Sequence, residues 1–160
     1  MSDIHVGLED FGILGRLTDV EQGQTMRSAR AAIDEATAWG AQSLLIKGDI
    51  TQDGKSDEWS AAPQIFKDLD PTLDIVATAG NHDVKKCRDL EPDVAIGSLT
   101  GSFDSVQVRS LPGAEILLVD TTVMERGHGK ISAADFERIV ELTRGTNLSL
   151  IHISEPTRPY

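Results

Sequence analysis

The sequence predicts an α/β fold in which helices alternate with parallel strands in layers. Over residues 1–79, short continuous apolar runs alternate with longer runs whose apolar residues recur every three or four positions. The first pattern is typical of strands covered on both faces, and the second is typical of amphipathic helices. Their alternation indicates a parallel sheet with helices packed against it. A length of 160 residues fits one domain with a sizeable core.

Two helices and two strands follow a first segment, residues 1–7, that we expect to be the end of a strand running into a loop. The helices are predicted over 24–39 and from Ser56 to the Asp70-Pro71 pair, and the strands over 42–47 and 73–79. Acidic residues in the first turn of the second helix suit its dipole. The predicted buried faces are Met26, Ala29, Ala32, Ile33, Ala36 and Trp39 in the first helix, and Trp59, Ala62, Ile65, Phe66 and Leu69 in the second.

The second half of the chain has a less regular pattern. We expect residues 85–101 to form a loop with a short helical turn, and residues 105–108 and 114–120 to form two strands joined by the turn 111–113. The pattern Ser132-Ala133-Ala134-Asp135 is a capping box at the start of a last helix. The apolar face of that helix consists of Phe136, Ile139, Val140 and Leu142.

Charge and composition argue against several kinds of partner. The net charge is -11 and no block is rich in Lys or Arg, so nucleic acid and anionic membranes are poor partners. A small phosphorylated substrate stays compatible, because a bound cation can invert the local field. No apolar run is long enough to span a bilayer, and the start carries no signal-peptide pattern. The single cysteine, Cys87, excludes an intramolecular disulfide and fits a reducing compartment, so we expect a cytoplasmic protein without a membrane partner.

Polar side chains follow three successive strands of the predicted sheet. They are Asp3 with His5, Asp49, and Asn81 with His82 and Asp83. Each group alone is typical of an ordinary turn, but ligands of open α/β sheets bind where the carboxyl ends of the strands converge. Carboxylate, imidazole and amide oxygen together suit Mn, Fe, Zn or similar cations. A carboxylate placed between two such cations can bridge them, and two-metal sites catalyse phosphoryl displacement.

These residues resemble a known family. The blocks Ser2-Asp3-Ile4-His5, Gly48-Asp49 and Gly80-Asn81-His82-Asp83 are similar, in order and spacing, to the first three signature blocks of the calcineurin-like metallophosphoesterases. The resemblance covers residues 1 to about 144. It implies a layered αββα sandwich with two divalent or transition-metal ions that hydrolyses a phosphomonoester or phosphodiester.

The resemblance also implies a role for each residue of the three blocks. The implied metal ligands are Asp3 and His5 for the first ion, Asp49 as the bridge between the ions, and Asn81 for the second ion through its side-chain oxygen. His82 would be the general acid toward the leaving oxygen, and Asp83 would orient or tune it. The chemistry of the side chains agrees, since an imidazole exchanges a proton near neutral pH whereas an amide only coordinates.

Subfamily features narrow the expectation. Protein Ser/Thr phosphatases of this superfamily end the third block in Glu and continue the second with a Tyr-x-Asp-Arg-Gly-like run. Here the third block ends in Asp83 and the run after Asp49 lacks that pattern, so this branch is disfavoured. The segment from Leu118 to Ser132, a strand followed by a glycine-containing loop before a helix, is similar to the small bacterial cyclic-nucleotide phosphodiesterase type. Two alternatives stay open: a non-catalytic α/β binding module, and a DNA exonuclease of the same superfamily.

The chain departs from the family pattern at its start. Only Met1-Ser2 precedes Asp3, so the strand that supports the first block in the family is nearly absent. We expect Met1 to be an internal residue or a misassigned start. The loss of that strand would remove the scaffold for Asp3 and His5.

The chain also departs from the pattern at its end. The family completes its site with two later histidine blocks, but no Gly-His-x-His is present, and only His152 stands near the place of the other. Residues 148–158 resemble the translation of a transposase-based sequencing adapter. We therefore expect a partial phosphoesterase domain over 1–147 with a non-native tail over 148–160. Such a chain would hold about half the ligands, bind metal weakly and have little activity.

Several other side chains admit two interpretations. Lys85, Lys86 and Arg88 follow the third block, where they either steer a phosphate or form a solvated basic turn. His128 lies between glycines, as an ordinary loop residue or as part of a substrate mouth. For Trp39 and Trp59, the helical positions predict core packing.

Overall fold

The computed structural model describes residues 1–7, 23–86, 92–100, 104–111 and 114–144. In these ranges the elements are α1 (Gln24–Ala38), β1 (Ser43–Lys47), α2 (Ser56–Ala61) continued by a 3-10 helix (Ala62–Phe66), β2 (Asp74–Thr78), α3 (Pro92–Thr100), β3 (Val106–Leu111), β4 (Ala114–Val119) and α4 (Ala133–Thr143). The predicted α/β class is confirmed, and each predicted helix and strand has a counterpart. Cys87, Arg88, the middle of the 111–113 turn, His152 and the 148–160 tail lie outside the described residues.

The described strands form two pairs. β1 and β2 are parallel, in a register that runs from Ser43 opposite Asp74 to Lys47 opposite Thr78. β3 and β4 are antiparallel and pair along their whole lengths. The buried side chain of Gln107 in β3 links the pairs, because its Nε2 donates to the carbonyl oxygen of Ala77 in β2 at 2.9 Å.

The N-terminal segment runs along β1 on the edge away from β2. The amino group of Met1 donates to the Leu45 carbonyl at 2.6 Å, and the Lys47 N–H donates back to Met1 at 2.9 Å. The backbone N–H and C=O groups of these odd-numbered residues of β1 point away from β2, since the backbone groups along a strand alternate between its two edges. Farther on, Val6 forms a parallel bridge with Thr51. The segment is therefore held by backbone bonds without a regular strand, and the expected loss of its scaffold is wrong.

The core lies between the parallel pair and the helices α1, α2 and α3. Its largest fully buried apolar side chains are Ile33, Ile46, Ile50, Ile65, Ile96 and Val6. Val76 and Val106 are also fully buried but lie outside this cluster. Trp59 is 4% exposed, as predicted, but the core position predicted for Trp39 is wrong, because that side chain is 82% exposed. The reason is the end of the helix: Trp39 is the C-cap of α1, and Gly40 reverses the chain with a φ of 91°.

The helices differ from the sequence expectation in detail. Residues 85–101 are predicted as a loop with a short helical turn, but the structure has the nine-residue helix α3 there. The second helix was expected to stay regular up to the Asp70-Pro71 pair, but α2 ends at Ala61 and continues as 3-10 helix because Pro63 has no N–H for the α-helical bond. In α4, the expected N-cap forms, with Ser132 Oγ accepting from the Asp135 N–H at 3.0 Å. The apolar face of α4 is nonetheless largely open, with Phe136 60% exposed. No helix in the described ranges is long and apolar enough to cross a membrane.

Candidate metal centre

Asp3, His5 and Asp49 come together where the N-terminal segment meets the loop after β1. Each offers one ligand atom, and the three atoms lie within 4.8 Å of one another. Nε2 of His5 is 3.7 Å from Oδ1 of Asp3. Asp3 is exposed, whereas His5 and Asp49 are half-buried, so the cluster opens to solvent on the Asp3 side.

The backbone at all three residues is left-handed. The φ angles are 57° at Asp3, 51° at His5 and 51° at Asp49. Such conformations cost about 1–3 kcal/mol each and concentrate at functional sites. Backbone hydrogen bonds enforce them, since the Asp3 N–H donates to Gly48 at 3.4 Å and the His5 N–H donates to Asp49 at 3.0 Å. The sequence thus holds the first block against the second at a cost in strain.

Two glycines allow the third block to approach the second. A Cβ on Gly48, where φ is 85°, would stand 2.5 Å from the backbone nitrogen of Gly80. A Cβ on Gly80 would overlap the carboxylate of Asp49, with Cγ only 2.9 Å away. Glycine at both positions is therefore a requirement of the close contact between the loops that follow β1 and β2.

His82, in the loop after β2, contacts the loop after β1 and the N-terminal segment. Its backbone N–H donates to Oδ1 of Asp49 at 2.9 Å, and its ring stands edge-on to the ring of His5, with centroids 4.7 Å apart. Nδ1 of His82 lies 2.6 Å from the carbonyl oxygen of Gln52. Because a carbonyl only accepts, Nδ1 carries the proton in this contact and Nε2 is left for other chemistry.

Asn81 lies half-buried in the same turn, between the two residues that touch Asp49. Gly80 packs against the Asp49 carboxylate and His82 donates to it. The turn thus holds the backbone of Asn81 beside Asp49.

Asp83 is fully buried and ties the loops after β1 and β2 together. Its Oδ1 accepts from the Thr51 N–H at 2.8 Å and the Thr51 hydroxyl at 2.7 Å. Its Oδ2 accepts from the N–H groups of Gly80 at 2.9 Å and Ile50 at 3.2 Å. Burial raises the pKa of the Asp83 carboxyl, while these hydrogen bonds oppose the shift. None of the four bonds involves the His82 ring, so Asp83 supports His82 only through the backbone of the turn.

The residues present fit a cation. Two carboxylates and an imidazole are hard-to-borderline ligands, and no Lys or Arg in the described part of the chain pairs with Asp3 or Asp49. Nδ1 of His5 is buried and has no hydrogen-bond partner among the described residues. Without a cation, this arrangement leaves two carboxylates within 4.8 Å of each other with no opposite charge between them.

Sequence reasoning missed three contributors to this region. Gln52 acts through its backbone carbonyl, which no side-chain pattern reveals. Thr51 holds Asp83 with a buried hydroxyl. Asp53 forms ion pairs with lysines of two loops. The pattern of charges in the sequence does not reveal these pairs, because Lys85 and Lys86 are distant from Asp53 in sequence.

The fold and site together define an α/β protein with a candidate metal cluster at the carboxyl ends of its parallel strands. No protein-family model and no curated protein matches the chain.

Proposed function

We propose that the protein is a metal-dependent phosphoesterase with a dinuclear site in an αββα sandwich. The observation that supports this best is the cluster of Asp3, His5 and Asp49, with Asp49 also accepting from the turn that carries Asn81 and His82. A parallel pair of strands beside an antiparallel pair, with helices against them, is compatible with part of such a sandwich.

In this proposal, Asp3 and His5 would hold the first ion, Asn81 would hold the second, and Asp49 would contribute to both. When bound, the ions would supply a nucleophilic water at neutral pH and neutralise charge on the phosphoryl oxygens. The His82 N–H donates to Oδ1 of Asp49 and so keeps this carboxylate beside the third block.

His82 gives its proton to the leaving oxygen from Nε2. The bond from Nδ1 to the Gln52 carbonyl fits both protonation states, since Nδ1 keeps its hydrogen in the imidazolium and in the neutral ring that remains. The ring therefore keeps its orientation while Nε2 releases and regains a proton. A fixed orientation is what general acid catalysis needs.

The substrate we propose is a small phosphomonoester or phosphodiester, with a cyclic nucleotide as one candidate. The net charge of -11 opposes long polyanions such as nucleic acids. A small phosphate ester is not opposed in the same way, because bound cations reverse the field at the site itself.

Manganese binding and turnover test the proposal at two levels. We expect Mn²⁺ to bind weakly to the 1–160 chain, by electron paramagnetic resonance, and to bind at least about tenfold more weakly to Asp49→Asn. Asp68→Asn is the matched control, because Asp68 is an exposed aspartate with a similar left-handed φ of 58°. Equal Mn²⁺ affinity in the wild type and Asp49→Asn would contradict the metal site.

Activity is measured with an aryl phosphodiester and added Mn²⁺. We expect the 1–160 chain to show low turnover that requires Mn²⁺ and is lost in Asp49→Asn. Turnover without added metal, or turnover unchanged in Asp49→Asn, would contradict the proposed function. No turnover with Mn²⁺ bound would favour a binding module over an enzyme.

A further inference from the structure

Three lysines converge on one carboxylate beside the candidate metal centre. Nζ of Lys86 is 2.7 Å from Oδ2 of Asp53, Nζ of Lys55 is 3.1 Å from the same oxygen, and Nζ of Lys85 is 3.0 Å from Oδ1. The Asp53 side chain is only 12% exposed, whereas the lysine side chains are about half exposed. The carboxylate thus forms the floor of a patch whose ammonium groups face solvent.

The acids of the patch are unevenly placed around its lysines. Glu58, whose Oε1 is 3.7 Å from Nζ of Lys55, and Asp57 both act on Lys55, whereas Lys85 and Lys86 share the single carboxylate of Asp53 among the described residues. The lysines hold the pKa of Asp53 far below its usual range, and Asp53 raises the pKa of Lys55. Asp53 and Lys55 are therefore charged at neutral pH. On a chain with a net charge of -11, three lysines gathered at one carboxylate are a local exception.

Hydrogen bonds to backbone groups fix the position of the loops that carry the lysines before a ligand binds. The Lys86 N–H donates to the Asp53 carbonyl at 2.8 Å, which joins the loops after β1 and β2. Oε2 of the buried Glu58 accepts from the N–H groups of Asp53 at 2.8 Å and Lys55 at 3.2 Å. Each ammonium has three donors and uses one on Asp53, so donors remain for an anion. Such preorganisation lowers the entropy cost of binding.

The patch adjoins the residues that we propose for catalysis. Gln52, whose carbonyl contacts the His82 ring, is the chain neighbour of Asp53. On the other loop, the Lys85 N–H donates to the carbonyl of His82 at 3.2 Å. In the loop after β1, Asp53 is thus next to the residue that contacts the His82 ring. In the loop after β2, Lys85 is bonded to the backbone of His82 itself.

We propose that Lys55, Lys85 and Lys86 form an anion-binding subsite that takes a phosphate group other than the one undergoing hydrolysis. The subsite selects substrates with two phosphate groups, and in this role it rests on the proposed function. Binding of a free phosphate anion by the lysines does not depend on that function. Charge-assisted hydrogen bonds from ammonium groups to phosphate oxygens supply the affinity.

Phosphate binding is tested on metal-free protein, so that it is independent of turnover. Inorganic phosphate and pyrophosphate are titrated at constant ionic strength while the amide signals of residues 53–55 and 84–86 are followed by nuclear magnetic resonance. We expect pyrophosphate to shift these signals and the double variant Lys85→Gln/Lys86→Gln to bind about tenfold more weakly. The charge-matched control is Lys67→Gln/Arg144→Gln, which removes two exposed cations from the ends of the 3-10 helix and α4.

The outcomes separate the two proposals. Equal affinity in Lys85→Gln/Lys86→Gln and the wild type, or equal losses in that variant and the control, would overturn the subsite. A core amide spectrum that matches the wild type shows that the variant is folded; if it is not, the single variants Lys85→Gln and Lys86→Gln replace it. Pyrophosphate binding by the lysines, together with equal Mn²⁺ affinity in the wild type and Asp49→Asn, would overturn the proposed function alone.

Discussion

Nδ1 of His82 donates to the carbonyl oxygen of Gln52 across 2.6 Å, from the loop after β2 to the loop after β1. The partner that fixes this ring is thus a backbone atom of the neighbouring loop. The resemblance to the metallophosphoesterases implied Asp83 instead, but the carboxylate of that residue is occupied by Ile50, Thr51 and Gly80.

The substitution His82→Gln separates proton transfer from metal binding. We expect the low Mn²⁺-dependent turnover of the 1–160 chain to fall below detection, because loss of a general acid ordinarily lowers the rate by about 10²–10⁴. Mn²⁺ affinity is expected to stay close to wild type, since the backbone N–H that His82 donates to Asp49 remains. Steady-state kinetics and Mn²⁺ titration check the pair of outcomes. A parallel loss of affinity and activity would make His82 a metal ligand.

The substitution Gly80→Ala tests the contact between the second and third blocks. The added methyl group overlaps the Asp49 carboxylate and backbone, so we expect a loss of about 1–3 kcal/mol in unfolding free energy and much weaker Mn²⁺ binding. Gly40→Ala is the control, because nothing lies within 4 Å of its added Cβ. Its left-handed φ of 91° costs about 1 kcal/mol in stability but leaves metal binding unchanged. Denaturant unfolding and Mn²⁺ titration distinguish the two, and equal Mn²⁺ affinities would contradict the contact.

The sequence predicts the α/β elements well because their signals are local. Apolar periodicity marks α1, and continuous apolar runs mark β1 and β2. Positions that depend on helix ends are predicted less well, as Trp39 shows: its spacing fits the buried face, but the helix stops just before it.

In the candidate site, too, local features could be predicted from the sequence and contacts between distant loops could not. Asp3, His5 and Asp49 could be chosen from residue type and strand-end position, and their side chains do meet. The contacts of Gln52 and Asp53 could not, since they join loops about 30 residues apart in sequence. The left-handed backbone of His5 was likewise not predictable, because positive φ is uncommon in residues other than glycine and no local pattern marks it here.

The substitution Asp83→Asn is expected to act on stability. Asp83 accepts three backbone N–H bonds and one hydroxyl bond, and an asparagine amide would turn its NH₂ toward donors on one side. We expect a loss of about 2–4 kcal/mol in unfolding free energy, since buried donors lose their acceptor. The exposed Asp68→Asn should stay within about 0.5 kcal/mol of wild type. Urea denaturation checks both, and a loss of activity in Asp83→Asn at unchanged stability would instead assign Asp83 a direct role in catalysis.

The three lysines around Asp53 predict how stability depends on pH. They hold the folded-state pKa of Asp53 below its unfolded value of about 3.8, so the ion pairs contribute fully above about pH 4. The contribution is lost as the pH falls through the lowered folded-state pKa. We expect Asp53→Asn to be less stable by about 1–2 kcal/mol at pH 7. The difference from wild type should shrink steadily as the pH falls below about 4.

Thermal unfolding from pH 7 to pH 2.5 measures this difference for the wild type and Asp53→Asn together. Other aspartates with a lowered pKa, such as Asp104 beside Arg138, destabilise both proteins in acid, so only the difference between the curves reports on Asp53. The control Asp104→Asn should give a smaller difference at pH 7, because its ion pair with Arg138 is exposed to solvent. A difference for Asp53→Asn that stays constant down to pH 2.5 would mean that Asp53 stabilises the loop through its shape and hydrogen bonds, without a net contribution from its charge.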